Sequence, residues 1–150
     1  MTESREFFRL YLDANVFIYA VEGDTSVSDP LREFFVRLRQ KKGIAVTSEL
    51  TLAEVLPKAR SIDRNSYFDL IVHGGIVDLV PVSRDVLLET AEYRRSAGMP
   101  KLPDAIHVVT ALQAGCRRIL SRDMRLKLPE GYAILPPDAV TLSDLGRELS

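Results

Sequence analysis

Phe7-Phe8-Arg9-Leu10-Tyr11-Leu12-Asp13-Ala14-Asn15-Val16-Phe17-Ile18-Tyr19-Ala20 decides how this chain is read. A short apolar and aromatic run, Phe7 to Leu12, has the composition of a strand, and it stops at the polar Asp13-Ala14-Asn15 before apolar residues resume. Asp13 is thereby placed at a strand's carboxyl end. The same arrangement recurs downstream, where Ile119-Leu120-Ser121-Arg122-Asp123 puts a second aspartate just beyond a short strand spanning Arg118 to Ser121.

Between these two stretches, strands and helices alternate. Ser28-Asp29-Pro30 offers a cap followed by an early-helix proline, and Leu31, Phe34, Phe35 and Leu38 recur at helical spacing until Gly43. Ile44 to Thr47 reads as a strand. Ser48 is a candidate N-cap for a helix that carries Glu54 in its first two turns and is shortened or kinked by Pro57. A helix from Asp63 to His73 is closed by Gly74-Gly75, and a strand runs from Ile76 to Val82. Ser83 caps an amphipathic helix reaching Gly98, and Met99 to Pro103 form a loop that delivers Asp104. The helix that follows is apolar nearly all round and ends at Gly115. Ala133-Ile134-Leu135 supplies a last strand, and Thr141 to Ser150 a short helix or a disordered end. Alternation of this kind predicts βαβ units: an α/β fold of three layers, α/β/α, around a mostly parallel sheet, with ligands beyond the carboxyl ends of its strands.

At 150 residues the chain has the size of one domain, 1–150, and its 46% hydrophobic content is that of an ordinary globular protein. Its apolar runs fall far short of the roughly 20 residues that span a bilayer, and its start leads into no signal-peptide core. A cytoplasmic location is the expectation. The lone Cys116 has no partner for a disulfide or a zinc site, and reads as a small buried residue near a helix end. Net charge is −1, so global electrostatics do not announce a nucleic-acid binder. Basic residues nevertheless cluster at 32–42, at 94–101, and in Arg117, Arg118, Arg122, Arg125 and Lys127. The first cluster reads as a solvated helix face; the last brackets Asp123.

Asp13, Glu54, Asp104 and Asp123 form the candidate site. Carboxylates held within a few ångströms repel one another, and a fold tolerates them when protons, basic side chains or a cation relieve the repulsion. Mg²⁺ and Mn²⁺ prefer oxygen ligands and retain several waters, which leaves room for phosphate oxygens and suits phosphodiester chemistry. Each acid also has a simpler reading: Asp104 as a helix-start residue, Asp13 and Asp123 as turn formers, Glu54 as an exposed helix position. Asn15 and Ser121 could orient a carboxylate or a metal's water, or merely shape turns. His107, one helical turn after Asp104, is read as a hydrogen-bonded core residue outside the catalytic set.

Four segments together resemble the PIN domains, and more closely the VapC-like toxins of toxin–antitoxin pairs. They are Leu12 to Tyr19, Thr47 to Leu56, Asp104 to Leu112, and Leu120-Ser121-Arg122-Asp123, with Gly131 to Pro136 similar to the family's terminal strand. One departure is present: Met124-Arg125-Leu126 stands where the family often carries another acidic residue and an aromatic. The resemblance implies a Mg²⁺- or Mn²⁺-dependent endoribonuclease with Asp13, Glu54, Asp104 and Asp123 as its acidic set, a homodimer, and a VapB-like antitoxin whose segment covers the site. The helices from Asp29 to Gln40 and from Leu50 to Arg60 are candidates for the partner groove. Arg122, Arg125 and Lys127 would hold the RNA backbone beside the site. The alternatives are a PIN fold that binds RNA or protein without cutting, and a receiver-like phospho-accepting domain.

Overall fold

A computed structural model of the chain describes residues 8–150. Its centre is a five-stranded sheet of β1 (Leu10–Leu12), β2 (Ala45–Ser48), β3 (Val77–Val80), β4 (Arg118–Leu120) and β5 (Ala133–Leu135), ordered β3-β2-β1-β4-β5. All four pairings are parallel. The chain builds outward from β1 in one direction, through β2 and β3, then returns to the other side for β4 and β5. The order therefore reverses between β1 and β4, the place where open parallel sheets leave a crevice at the carboxyl edge.

Period-two alternation in β1 sorts the layers. Leu10 and Leu12 point into the larger core, with α1 (Ala14–Glu22), α2 (Thr25–Gln40), α4 (Ser61–Phe68) and α7 (Ala139–Leu149). Tyr11 points the opposite way, into a cluster with Val46, Ala111, Cys116 and Ile119 under α6 (Leu102–Gln113), outside which lies α5 (Arg84–Ser96). The fold is the expected α/β/α sandwich. Each fully buried leucine of this core contributes about 1.5–3 kcal/mol. Burial of Cys116 pushes its thiol up to about 11, as befits an inert packed residue.

Several boundaries differ from the sequence reading, each for a local reason. The first strand is Leu10–Leu12 rather than Phe7–Leu12, and Phe7 lies outside the described residues. Asp13 begins a helix that the sequence pattern does not announce, because its Oδ1 accepts the Ala14 N–H at 2.8 Å and caps the first turn. α2 starts at Thr25 instead of Asp29: the Val27 and Ser28 N–H groups both donate to Asp24 O, so the first turn closes before Pro30, which lies inside the helix and leaves the Ser26 carbonyl without an i to i+4 donor. The expected helix from Asp63 to His73 is α4 followed by a wider, π-type turn over Asp69–His73. α6 begins at Leu102, within the expected loop, with Pro103 in its first turn. α3 (Leu50–Val55) stops just before Pro57, and Ser83 Oγ accepts the Val86 N–H, both as expected. The tail is a helix. Asp138 caps it, and Leu142, Leu145 and Leu149 are buried against the rest of the core.

Candidate functional site

Asp13 and Ser121 face each other across the crevice between β1 and β4. The Asp13 main-chain N–H extends the ladder to Leu120 O at 3.0 Å, which brings the first residues past both strands together. Ser121 Oγ then donates to Asp13 Oδ2 at 2.6 Å and accepts the Asp123 N–H at 2.9 Å. Asn15 Nδ2 reaches both Asp13 Oδ2 and Ser121 Oγ at 3.3 Å, and Asn15 Oδ1 accepts the Arg122 N–H at 3.1 Å. Asn15 and Ser121 thus orient the Asp13 carboxylate and shape the 121–123 turn at once, so the two readings of these residues are compatible. Asp13 is only 8% exposed and Ser121 is fully buried, so the bond between their side chains is shielded from competing water.

Glu54 lies on the exposed side of α3, yet its carboxylate turns inward. Glu54 Oε1 stands 2.6 Å from His107 Nε2, and His107 Nδ1 stands 2.5 Å from the Tyr11 hydroxyl, which accepts the Ser48 N–H at 3.1 Å. A carboxylate can only accept, so Nε2 donates; in the neutral ring Nδ1 is then an acceptor for Tyr11 O–H. Burial, with Asp13 next, holds the Tyr11 phenol far above its ordinary range, so it remains a donor. His107 is a buried, hydrogen-bonded residue as expected. Its attachment to Glu54, and its Nε2 lying 3.7 Å from Asp13 Oδ1, were not legible in the sequence.

Asp104 sits in the first turn of α6, and Asp123 in the turn after β4, where its Oδ1 accepts both the Arg125 N–H and the Arg125 Nε–H. Both acids line one cavity of about 280 Å³ together with Tyr93, Lys101, Arg125 and Lys127. Burial, then the Asp123 and Asp13 carboxylates, push the Asp104 carboxyl above its ordinary value, against the smaller opposing pull of His107 and Lys101. Asp104 is thus close enough to Asp123 and Asp13 to feel the charge of both. Among the described residues neither Asp13 nor Asp104 has a lysine or arginine at salt-bridge distance. Nor, among those residues, do three acidic, histidine or cysteine side chains converge to ligand distance: Glu54 is drawn to His107 and Asp123 to Arg125.

The basic cluster divides. Arg125 and Lys127 line the cavity of Asp104 and Asp123, whereas the Arg122 guanidinium stacks over Tyr19, 4.5 Å from the ring centroid, and faces a different hollow beside Pro30 and Pro136. Arg122 is therefore not grouped with its two neighbours in space. No helix among the described residues is long and apolar enough to cross a membrane.

Comparison with known proteins places the fold. Ribonuclease VapC23 of Mycobacterium tuberculosis is 29% identical over 120 residues, spanning 78% of this chain and 94% of that protein. The fold resembles that of VapBC2 from Rickettsia felis, solved bound to a DNA fragment from its promoter, with a TM-score of 0.65 at 14% identity over 86% of this chain and 98% of that one. A toxin–antitoxin complex from Klebsiella pneumoniae aligns with a TM-score of 0.61 at 19% identity over 86% of this chain and 97% of its own. The family model for the PIN domain matches residues 10–131, from the first residue of β1 to the approach of β5, and this chain belongs to the PIN domain family.

Proposed function

We propose that the protein is a metal-dependent endoribonuclease acting as the toxin of a toxin–antitoxin pair, with Asp13, Glu54, Asp104 and Asp123 as its acidic set. The observation that carries this reading is that Asp104 and Asp123 share one cavity and that, among the described residues, neither Asp104 nor Asp13 has a lysine or arginine at salt-bridge distance, while burial and the Asp123 and Asp13 carboxylates push the Asp104 carboxyl above its ordinary range. The donor set is all oxygen, which matches Mg²⁺ or Mn²⁺, and such ions keep several waters, so a spread arrangement of carboxylates suits them. Asp13, Asp104 and Asp123 would hold the ion, with Glu54 joining by turning from His107. When bound, the cation supplies charge neutralisation at the phosphate and lowers the pKa of a water.

The chain's own residues do the rest. Ser121 and Asn15 fix the Asp13 carboxylate, so little reorganisation remains when substrate arrives. Arg125 and Lys127 draw the phosphate backbone toward the cavity of Asp104 and Asp123 and position it without reading its sequence. Arg122 reaches the backbone from the other side of the turn. A freely active ribonuclease would damage its host. A VapB-like antitoxin that places an arginine among the carboxylates, on a toxin homodimer in the cytoplasm, completes the proposal; the resemblance to solved toxin–antitoxin assemblies supports it.

The test is incubation of purified protein with total and transfer RNA in Mg²⁺, Mn²⁺ or EDTA, beside Asp104→Asn. Discrete fragments with 5′-phosphate and 3′-hydroxyl ends that require both the metal and Asp104 are expected. RNA binding with no cleavage under any metal would instead identify a PIN fold that binds without cutting.

A further inference from the structure

The cavity shared by Asp104 and Asp123 has a second chemistry that phosphate positioning does not use. Beside its two carboxylates it carries three cations, Lys101, Arg125 and Lys127, and the aromatic ring of Tyr93, with Leu126 adding an apolar surface. A lining of cations alone would suit a bare anion, and one of acids alone a metal. Cations combined with an aromatic and an aliphatic face suit a ligand that has both a phosphate and a flat apolar ring. At about 280 Å³ the space lies near the lower end of small-molecule sites, the scale of one nucleotide.

Its walls are tied together before any ligand arrives. Tyr93 Oη donates to Lys127 O at 2.5 Å, which joins the end of α5 to the segment after β4. The Arg94 Nε–H donates to Pro100 O at 2.8 Å, and the Met99 N–H to Arg94 O at 2.8 Å, which hold the α5–α6 loop in place. Gly98 has φ +83°, and Lys127 Nζ lies 3.5 Å from where a β-carbon there would stand, so the lysine crosses directly over the loop. Met99 follows at φ +60°, an uncommon conformation for a residue with a side chain, of the kind that surrounding bonds sustain at ligand clamps. Three large apolar side chains adjacent in the chain to lining residues stand out in solvent: Met99 at 63%, Leu102 at 48% and Met124 at 53% exposure. Each is an apolar surface left open to solvent next to a lining residue.

We propose that this cavity is a single-nucleotide subsite, taking one unstacked base of single-stranded RNA against Tyr93 and Leu126 while Arg125 and Lys127 hold its phosphate, immediately beside the bond that is cut. This rests on the ribonuclease reading and adds to it a selectivity: duplex RNA keeps its base faces stacked and cannot fill the site, whereas loops and single strands can. The base that fits becomes the one preferred beside the cleavage position.

Ala97, a cavity-lining residue at the end of α5 with φ −104°, accepts a larger side chain without backbone strain, so Ala97→Phe fills the space. Binding of a fluorescently labelled single-stranded oligoribonucleotide is measured by anisotropy in EDTA, beside its duplex form. Ala97→Phe is expected to weaken single-strand binding about tenfold, the effect of losing one stacked base, to leave the duplex unaffected, and to raise KM in Mn²⁺ more than it lowers kcat. Lys127→Met, a surface change that leaves the core intact, is expected to reduce the slope of log affinity against log salt by about 0.7 for the single strand. Wild-type affinity and KM in a folded Ala97→Phe, equal losses on single strand and duplex, or an unchanged salt slope in Lys127→Met would each overturn the subsite while cleavage by the wild type upholds the ribonuclease. A wild type that neither binds nor cuts RNA would overturn both.

Discussion

His107 Nε2 and Glu54 Oε1 lie 2.6 Å apart, so a buried imidazole on α6 holds the acid carried by α3. The bond forms one end of a line from Ser48 N–H through Tyr11 and His107 to the carboxylate, which anchors Glu54 to the β2 end of the sheet. His107→Ala leaves the Tyr11 hydroxyl without one partner and Glu54 free to swing. A loss of about 1–3 kcal/mol is expected in urea unfolding. RNA cleavage is expected to fall as well, and His107→Gln, which can still donate to the carboxylate, should recover part of it. Cleavage equal to wild type in a folded His107→Ala would show that Glu54 needs no such anchor.

Ser121 is the corresponding anchor for Asp13. Ser121→Ala removes the buried donor to Asp13 Oδ2 and leaves the partly buried Asp123 N–H without its acceptor. The expected cost is again about 1–3 kcal/mol in unfolding. Mn²⁺ affinity, measured by calorimetry, should weaken in parallel because Asp13 and the Asp123 turn lose their common support.

Asp104 gives a pH signature. Its carboxyl is raised in the folded protein by burial and by Asp123 and Asp13, so the folded chain binds more protons than the unfolded chain in the window just above the ordinary value of 3.8. Its contribution to stability is therefore full below that value and is lost as pH rises through the folded pKa. Asp104→Asn should leave stability unchanged at acid pH and raise the melting temperature at neutral pH without metal. Partial solvent screening keeps the gain small. A lower melting temperature at neutral pH would contradict the repulsion on which the site reading stands.

Metal should reverse that balance. A cation held by the folded site alone stabilises by mass action, about 2.7 kcal/mol at a hundredfold excess over Kd, so Mn²⁺ should raise the wild-type melting temperature and EDTA should restore it. In Asp104→Asn the Mn²⁺ response should shrink or vanish.

Arg122 and Arg125 should behave differently despite their closeness in sequence. Arg125 is 91% exposed and linked to Asp123, whereas Arg122 stacks on Tyr19 away from the cavity. Arg125→Ala should weaken RNA binding in a salt-dependent way, and Arg122→Ala should do so less, while disturbing the Tyr19 face. Equal salt slopes for the two variants would restore the grouping expected from sequence.

Strand–helix alternation, the parallel sheet and the placement of Asp13 and Asp123 at strand ends were determined by the sequence alone. Each follows from local patterning: short apolar runs, caps at Ser83, glycine stops, and prolines that end or admit helices. The π-type turn at Asp69–His73 and the helix after Asp13 were not legible, because hydrogen-bond offset and capping depend on backbone geometry that no short pattern encodes. Only the tertiary structure decided what the acids touch. Leu10 and Leu12 could be seen to be buried, but that Tyr11 points to the opposite face and there meets a histidine from residue 107 depends on how β1 and α6 pack. Likewise Arg122, Arg125 and Lys127 form one cluster in the chain and two in space, since the turn after β4 rotates neighbouring side chains to different sides. Sequence spacing governs which residues share an element; the crossing of distant elements governs which side chains meet, and the site is made of such meetings.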